Sequence, residues 1–227
     1  MELTKDTKKR KRHYDDACGT AFALELVGER WALLVVRELM FGPRRFGDLG
    51  AGLPGISAKV LTQRLEGLEA AGIVQRRKLP PPASVPVYEL TPWGYESERA
   101  IQELGRWATR SPGHDPSLPL SAASLMLSFR TMHNAERAAG LDARVGFRIA
   151  EDIFVAHLTQ TGIAITRADP TGCAVIFTAP NAMVIAGAVY GGVPLATLEA
   201  QGAIAITGDR SLAERFVTLF PLPPKIA

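Results

Sequence analysis

The chain has 227 residues, of which 47% are hydrophobic and 22% charged, so it is long enough for two domains with substantial cores. No segment approaches the roughly 20 apolar residues that cross a bilayer. The basic N-terminus has no apolar segment behind it, which excludes a secretory signal. Two cysteines far apart in sequence exclude a disulfide framework and predict a cytoplasmic protein with no membrane association.

Positive charge is concentrated in the first half of the chain. Residues 1–113 contain 18 Lys and Arg against 14 Asp and Glu, whereas residues 114–227 contain 8 against 9. An excess of cations favours a polyanionic partner. The run KKRKR predicts a flexible basic arm over residues 1–14, which is either a solvated tail or a source of additional phosphate contacts.

Residues 15–111 form the first predicted domain, which opens with three helices. Hydrophobic periodicity predicts helices over Asp16 to Val27, over Trp31 to Phe41 and from Arg45 to about Leu49. The second of these is apolar nearly all round, so we expect it to be buried. Gly42-Pro43 ends it.

A capped helix and a hairpin follow. Ser57 is a candidate N-cap, and Gly72 is a candidate left-handed C-cap. Between them, one apolar side and one polar side are predicted. Two β-rich segments, at 73–78 and 85–90, flank a Pro-rich loop, and Thr91-Pro92 begins a helix that runs to about Arg110. The predicted inner residues of the capped helix are Leu61, Leu65 and Leu68.

This order of elements is what a protein needs to place a helix in a DNA groove and a hairpin beside it. Gln63 can pair with adenine, Lys59 can reach guanine or a phosphate, and Arg64 lies on the flank towards the DNA backbone. The alternative is an ordinary solvated helix face followed by a charged edge strand. The candidate DNA contacts are Arg44, Ser57, Ala58, Lys59, Thr62, Gln63, Arg64, Arg76, Arg77 and Lys78.

Residues 18 to about 110 resemble the HxlR family of bacterial winged-helix transcription regulators. The matching segments are ALELVGERW, the block RFGDL, LPGISAKVLTQRLEGLEAAGIVQR and VYELTPWG, with Cys18 before them and Trp107 after them. The resemblance implies a homodimer on pseudo-palindromic double-stranded DNA. It also implies that the first helix and the helix after the wing form the dimer contact.

Cys18 has two possible roles. Some members of that family are thiol sensors through a cysteine at the matching place, which makes Cys18 a candidate redox site. A lone cysteine near a helix start can equally be a small apolar residue. We expect the preceding Asp15 and Asp16 to oppose formation of the thiolate.

A linker is predicted at residues 112–120, within SPGHDPSLPLS, and a second domain at residues 121–227. Leu120 to Gly140 is a predicted helix, and Val145, Phe147 and Ile149 alternate as the inner face of a strand. The predicted fold class is α+β, with a mixed sheet and helices at both ends. Further strands are predicted at 153–158, 163–167, 173–178 and 203–207, and further helices at 181–190, 195–200 and 211–219.

The last part of this domain, LATLEAQGAIAITGDRSLAERFVTLF, resembles the sterol-carrier-protein-2-like domain. The resemblance implies a hydrophobic tunnel between sheet and helices for an apolar small-molecule effector. The alternatives are ordinary core packing of the same side chains and a dimer-stabilising module without a ligand. The candidate ligand-binding residues are Phe129, Phe147, Phe154, Phe177, Met183 and Tyr190.

Together these features predict a ligand-modulated repressor and not an enzyme. Three histidines and Cys173 have no metal-ligand spacing, and no Gly-rich phosphate motif is present, so no metal and no cofactor is expected. The alternative is an enzyme or a small-molecule-binding protein, in which the second domain acts on its ligand.

Overall fold

The structure is a computed structural model that describes residues 14–226. The predicted basic arm therefore lies, except for Tyr14, outside the described residues. Within residues 14–226, no helix combines the length and the apolar character that a membrane crossing requires. The first half comprises α1 (Gly19–Val27), α2 (Ala32–Leu39), α3 (Phe46–Gly52), α4 (Ala58–Ala70), β1 (Val74–Lys78), β2 (Pro86–Leu90), α5 (Pro92–Glu96) and α6 (Glu98–Ala108).

The caps that begin and end α4 confirm the local predictions. The hydroxyl of Ser57 accepts a hydrogen bond from the amide of Val60 at 3.3 Å. Gly72 has φ +72°, the left-handed conformation that glycine adopts without a Cβ penalty. The three inner leucines of α4 are each 1% exposed. With α3 before it and the β1–β2 hairpin after it, α4 completes the expected winged helix-turn-helix.

Two predicted helices differ from the structure. α1 begins at Gly19 and not at Asp16, because the carboxylate of Asp16 accepts a hydrogen bond from the amide of Cys18 at 2.9 Å and holds a turn there. The helix predicted from Pro92 to Arg110 is broken at Ser97, which separates α5 from α6. The short α5 lies close to the backbone just before β1. A Cβ at Gly94 would lie only 2.2 Å from the carbonyl oxygen of Ile73, so this close approach requires glycine.

The second half is a mixed sheet with helices, which confirms the predicted α+β class. The strand order is β5-β4-β3-β6-β7, and only the β3–β6 pair is parallel. The predicted helix from Leu120 ends at Met132, where the chain turns so that the amide of Asn134 bonds the carbonyl of Leu219. The elements are α7 (Ala122–Met132), β3 (Asp142–Ile149), β4 (Asp152–Thr159), β5 (Ile163–Thr166), β6 (Val175–Ala179), α8 (Ala182–Val189), α9 (Leu195–Ala200), β7 (Ala205–Gly208) and α10 (Arg210–Phe216).

The apolar core extends through both halves. Val145, Phe147 and Ile149 are buried, as their alternation predicts. At the junction of the halves, the ring of Phe41, just after α2, meets the ring of Phe154 on β4 edge-on at 5.6 Å. Contacts between α2 and α7 and between α6 and α7 continue this packing. The division of the chain at residues 112–120 stays a prediction.

Candidate DNA interface

The polar side of α4 is exposed along its first two turns. Lys59, Thr62 and Gln63 are exposed, as are Ser57 and Ala58 at the start of the helix. The Thr62 hydroxyl donates to the carbonyl of Ala58 at 3.0 Å, so its oxygen remains available only as an acceptor. The predicted recognition residues therefore form one continuous exposed stripe, directly opposite the buried leucines.

The hairpin places its two arginines on opposite faces. β1 and β2 are antiparallel, with Arg76 opposite Tyr88 and Arg77 opposite Val87, and successive side chains of a strand alternate between faces. The guanidinium of Arg76 lies 5.9 Å from the centre of the Tyr88 ring. The guanidinium of Arg77 instead pairs with Glu89, with Nε 2.6 Å from Oε2. The charge of Arg77 is therefore compensated within the hairpin.

A cleft of about 470 Å³ lies where α3, α4 and the hairpin meet. Thr62 of α4, Arg76 of β1 and Arg45 at the start of α3 all line it. Arg45 and Arg76 are both exposed, so the cleft presents positive charge beside the polar stripe of α4. Arg45 is a candidate that the sequence prediction missed. Its signal was the pair Arg44-Arg45, of which Arg45 begins the RFGDL block, but the pattern does not say which of the two side chains points outward.

Two predicted DNA contacts are engaged elsewhere. The Nη1 atom of Arg44 lies 2.6 Å from Oδ1 of Asp152 in the second half, and the side chain is only 13% exposed. The Nη1 atom of Arg64 lies 3.1 Å from Oε2 of Glu29, with the Arg64 side chain 20% exposed. Neither guanidinium lies in the cleft, and a new contact with DNA would have to compete with these ion pairs.

Two helices present apolar side chains to solvent. On α1, Phe22 is 58% exposed and Leu24 is 47% exposed. On α6, Leu104 is 50% exposed and Trp107 is 73% exposed. Large apolar side chains clustered on a surface indicate a contact site for another protein. These are the two helices that the resemblance implied for the dimer contact.

The predicted ligand-binding residues do not form one pocket. Phe129, Phe147 and Phe177 are fully buried, and their rings pack against one another. Phe154 is also fully buried, but it packs against Phe41 and the first half. The phenylalanines therefore act here as core residues, because each ring already has aromatic neighbours at contact distance.

The two remaining candidates, Met183 and Tyr190, lie partly buried on α8 and directly after it. The hydroxyl of Tyr190 is hydrogen-bonded to that of Ser128 on α7. Burial raises the pKa of Tyr190 to about 12, so this hydroxyl is neutral at physiological pH and serves as a hydrogen-bonding group.

Cys18 is exposed immediately before α1. Hydrogen bonds from the backbone amides of Ala21 and Thr20 lower the pKa of the Cys18 thiol. The amides at the helix start therefore favour the thiolate, while opposition by Asp15 and Asp16 stays a prediction. Within residues 14–226, no group of three or more His, Cys, Asp or Glu side chains is placed to hold a metal ion.

Residues 26–115 match the family model described as HxlR-like helix-turn-helix. An uncharacterized HTH-type transcriptional regulator, YvaP of Bacillus subtilis, is 36% identical over 87 residues, which are 38% of this chain and 81% of that protein. The HTH-type transcriptional regulator YodB of the same organism is 40% identical over 86 residues, 38% of this chain and 77% of that protein.

Among solved structures, the reduced form of YodB is matched with 35% identity and a TM-score of 0.40, over 44% of this chain and all of that one. The exposed stripe of α4, the hairpin beside it and the matches to the family model and to the two regulators by sequence lead to one conclusion. The chain belongs to the HxlR-like helix-turn-helix family and is a DNA-binding transcriptional regulator of the HxlR type.

Proposed function

We propose that this regulator binds a pseudo-palindromic operator as a homodimer and represses transcription. The observation that carries the proposal is the exposed polar start of α4 beside the positively charged cleft of Arg45 and Arg76. In the proposed complex, α4 lies in the major groove, where Lys59 and Gln63 contact base edges. Two half-sites would then lie about one helical turn apart, roughly 34–36 Å.

In the proposed complex, the remaining polar residues contact the sugar-phosphate backbone of the DNA. Ser57, Ala58 and Thr62 lie at the first turns of α4, where backbone amides favour phosphate oxygens. Arg45, Arg76 and Lys78 supply exposed cations beside them. Arg77 contributes less than Arg76, because Glu89 already neutralises it. Arg44 and Arg64 are instead engaged in ion pairs with Asp152 and Glu29.

The dimer contact is assigned to the exposed apolar surfaces of α1 and α6. An exposed stripe on one side of α6 includes Leu104 and Trp107, while Ile101 packs against the core. Burying such a stripe against a second copy removes apolar area from water at about 25 cal/mol per Å². Two copies of α4 are then held at a fixed separation, as an operator with two half-sites requires.

We further propose that the second half, residues 121–227, is a sterol-carrier-protein-2-like sensor of an apolar small molecule. What supports a role in regulation is its attachment to α6. Arg130 of α7 donates to both carboxylate oxygens of Glu98 at 2.9 Å. A ligand that displaces α7 therefore acts on the proposed dimer helix. Binding among Phe129, Phe147 and Phe177 would require these packed rings to separate.

The operator proposal is tested by selecting duplexes from a random library with the full-length protein and measuring retention on gels. Lys59→Ala with Gln63→Ala should abolish sequence-specific retention. Glu66→Ala, on the same exposed side of α4, is the matched control and should retain it. Full binding by the double variant contradicts the recognition-helix assignment.

The sensor proposal is tested by thermal-shift screening of the full-length protein with apolar metabolites, followed by DNA retention assays with the compounds that bind. Compounds that bind without changing operator affinity contradict the sensor proposal.

A thiol switch at Cys18 is a second candidate function, favoured by the exposure of this thiol and its lowered pKa. If Cys18 is the sensor, diamide treatment should change operator affinity in the wild type and in Cys173→Ser, but not in Cys18→Ser. If diamide changes the operator affinity of Cys18→Ser as much as that of the wild type, this role is excluded.

A further inference from the structure

We propose that a cleft between the two halves of the chain is the effector site, and that it takes a small aromatic carboxylate. The cleft has a volume of about 280 Å³. Trp31 lines it from the residue before α2, Leu34 from α2 and Pro54 from the turn before α4. Leu118 lines it from the chain that leads into α7, and Ser124 from the start of that helix. The inference rests on the proposed sensor role and gives that role a location outside the aromatic core.

The walls of the cleft are apolar and incompletely covered. Leu34 is 38% exposed and Leu118 is 62% exposed, although both are leucines beside a buried core. Trp31 has φ +79°, a left-handed conformation that is an outlier for a bulky residue and that is concentrated at ligand sites and switches. A volume of about 280 Å³ lies just below the range of roughly 300–1,000 Å³ for ligand pockets, which limits the ligand to one or two rings.

Arg37 supplies the cleft with hydrogen-bond donors that suit a carboxylate, although its charge is paired with Glu38. Its Nε and Nη2 atoms donate to Oε1 of Glu38 at 3.1 and 2.8 Å, while Nη1 is bonded to no described residue. The same oxygen of Glu38 accepts from the hydroxyl of Ser121 at 2.6 Å. A carboxylate could accept from the N–H groups of Arg37 that Glu38 does not use, on Nη1 and Nη2, whereas a hydrocarbon would leave those donors unpaired.

The position of the cleft connects a ligand to DNA binding. Pro54 lies three residues before Ser57, the cap of α4, and Ser124 lies in the first turn of α7. A bound molecule would therefore contact both the approach to the recognition helix and the helix that holds α6 through Arg130. Preferential binding to one arrangement of α4 and α6 shifts the equilibrium towards it.

The test is isothermal titration calorimetry of the full chain with 2-naphthoate and with the neutral 2-acetonaphthone. We expect 2-naphthoate to bind at least about tenfold more tightly than the ketone, because only the carboxylate pairs with Arg37. Because both leucines are exposed, the double variant Leu34→Ser with Leu118→Ser should fold. It should bind 2-naphthoate at least about tenfold more weakly, since apolar contact is lost. Leu222→Ser, an exposed leucine outside the cleft lining, is the matched control and should bind as the wild type does.

Three outcomes overturn the proposal: no binding of 2-naphthoate by the wild type, equal binding of the ketone, or unchanged binding by the double leucine variant. Retention of operator DNA is measured on the same proteins without ligand. The double leucine variant should retain DNA normally, since neither leucine lies on the proposed DNA surface. Loss of DNA retention by every protein would contradict the proposed operator binding. The calorimetric result would still show whether the cleft binds 2-naphthoate.

Discussion

The guanidinium of Arg44 joins the wing to the second half of the chain, with its Nη1 atom 2.6 Å from Oδ1 of Asp152. The backbone of Arg44 exchanges two hydrogen bonds of 2.9 Å with Tyr88 on β2, so this residue is itself part of the wing sheet. Arg167 binds the same carboxylate oxygen. One carboxylate at the start of β4 thus connects the proposed DNA-contacting hairpin to the five-stranded sheet.

Asp152→Asn should lower the free energy of unfolding by about 3 kcal/mol, the lower end for a broken buried ion pair, because it leaves two largely buried guanidiniums without their counter-charge. Burial already lowers the pKa of Arg167, as does the neighbouring Arg44, and Asp152 opposes both effects. The free energy of unfolding from urea denaturation measures the change. The control is Asp142→Asn, which removes an exposed carboxylate that pairs with His157. It should lower the free energy of unfolding by less than about 0.5 kcal/mol. Equal costs for the two variants would show that the Asp152 cluster does not hold the halves together.

Arg76→Ala should weaken binding to all duplexes and lower the salt slope of the binding constant by about 1 for each half-site. Arg77→Ala is the matched control, with the same substitution one residue later in the strand. Its effect should be smaller, because Arg77 pairs with Glu89. Fluorescence anisotropy across a series of KCl concentrations measures both slopes. A larger effect for Arg77 than for Arg76 would reverse the assignment of the two faces.

Trp107→Glu should convert the proposed dimer into monomers, because it places a charge in the middle of the apolar stripe of α6. The side chain is 73% exposed in the single chain, so the substitution leaves the core intact. Sedimentation velocity measures the molecular mass in solution. Leu118→Glu changes another exposed apolar residue in the same way, away from α1 and α6, and should remain dimeric. A dimeric Trp107→Glu protein would place the interface elsewhere.

Alkylation by iodoacetamide should distinguish the two cysteines by pH. Amide hydrogen bonds lower the pKa of Cys18, whereas burial raises the pKa of Cys173. Since the thiolate is the reactive form, Cys18 should react faster than Cys173 below the ordinary thiol pKa and keep its reactivity to lower pH. Unfolding should slow Cys18 and accelerate Cys173, because both pKa values then return towards the ordinary one. Mass spectrometry of Cys173→Ser gives the alkylation rate of Cys18, and that of Cys18→Ser gives the rate of Cys173. Faster alkylation of Cys173 than of Cys18 in the folded protein would contradict the prediction.

The sequence by itself determined the local elements of the first half. The hydroxyl of Ser57 caps α4, Gly72 ends it, and the spacing of Leu61, Leu65 and Leu68 orients it, because caps and periodicity act over only a few residues. The exposed polar stripe of α4 follows directly from that orientation. The strands of the second half were predicted for the same reason, since alternation is a local signal.

Only the tertiary structure decided which side chains are free to act. Of the adjacent Arg44 and Arg45, one pairs with Asp152, which lies 108 residues away, and the other lines the cleft. Of the adjacent Arg76 and Arg77, only the second meets Glu89. The cleft at Trp31 and Leu118 exists because two distant segments pack together. Such contacts depend on long-range packing that no local periodicity encodes, so the DNA-contacting helix could be predicted from the sequence, whereas its neighbours and the proposed effector site required the folded chain.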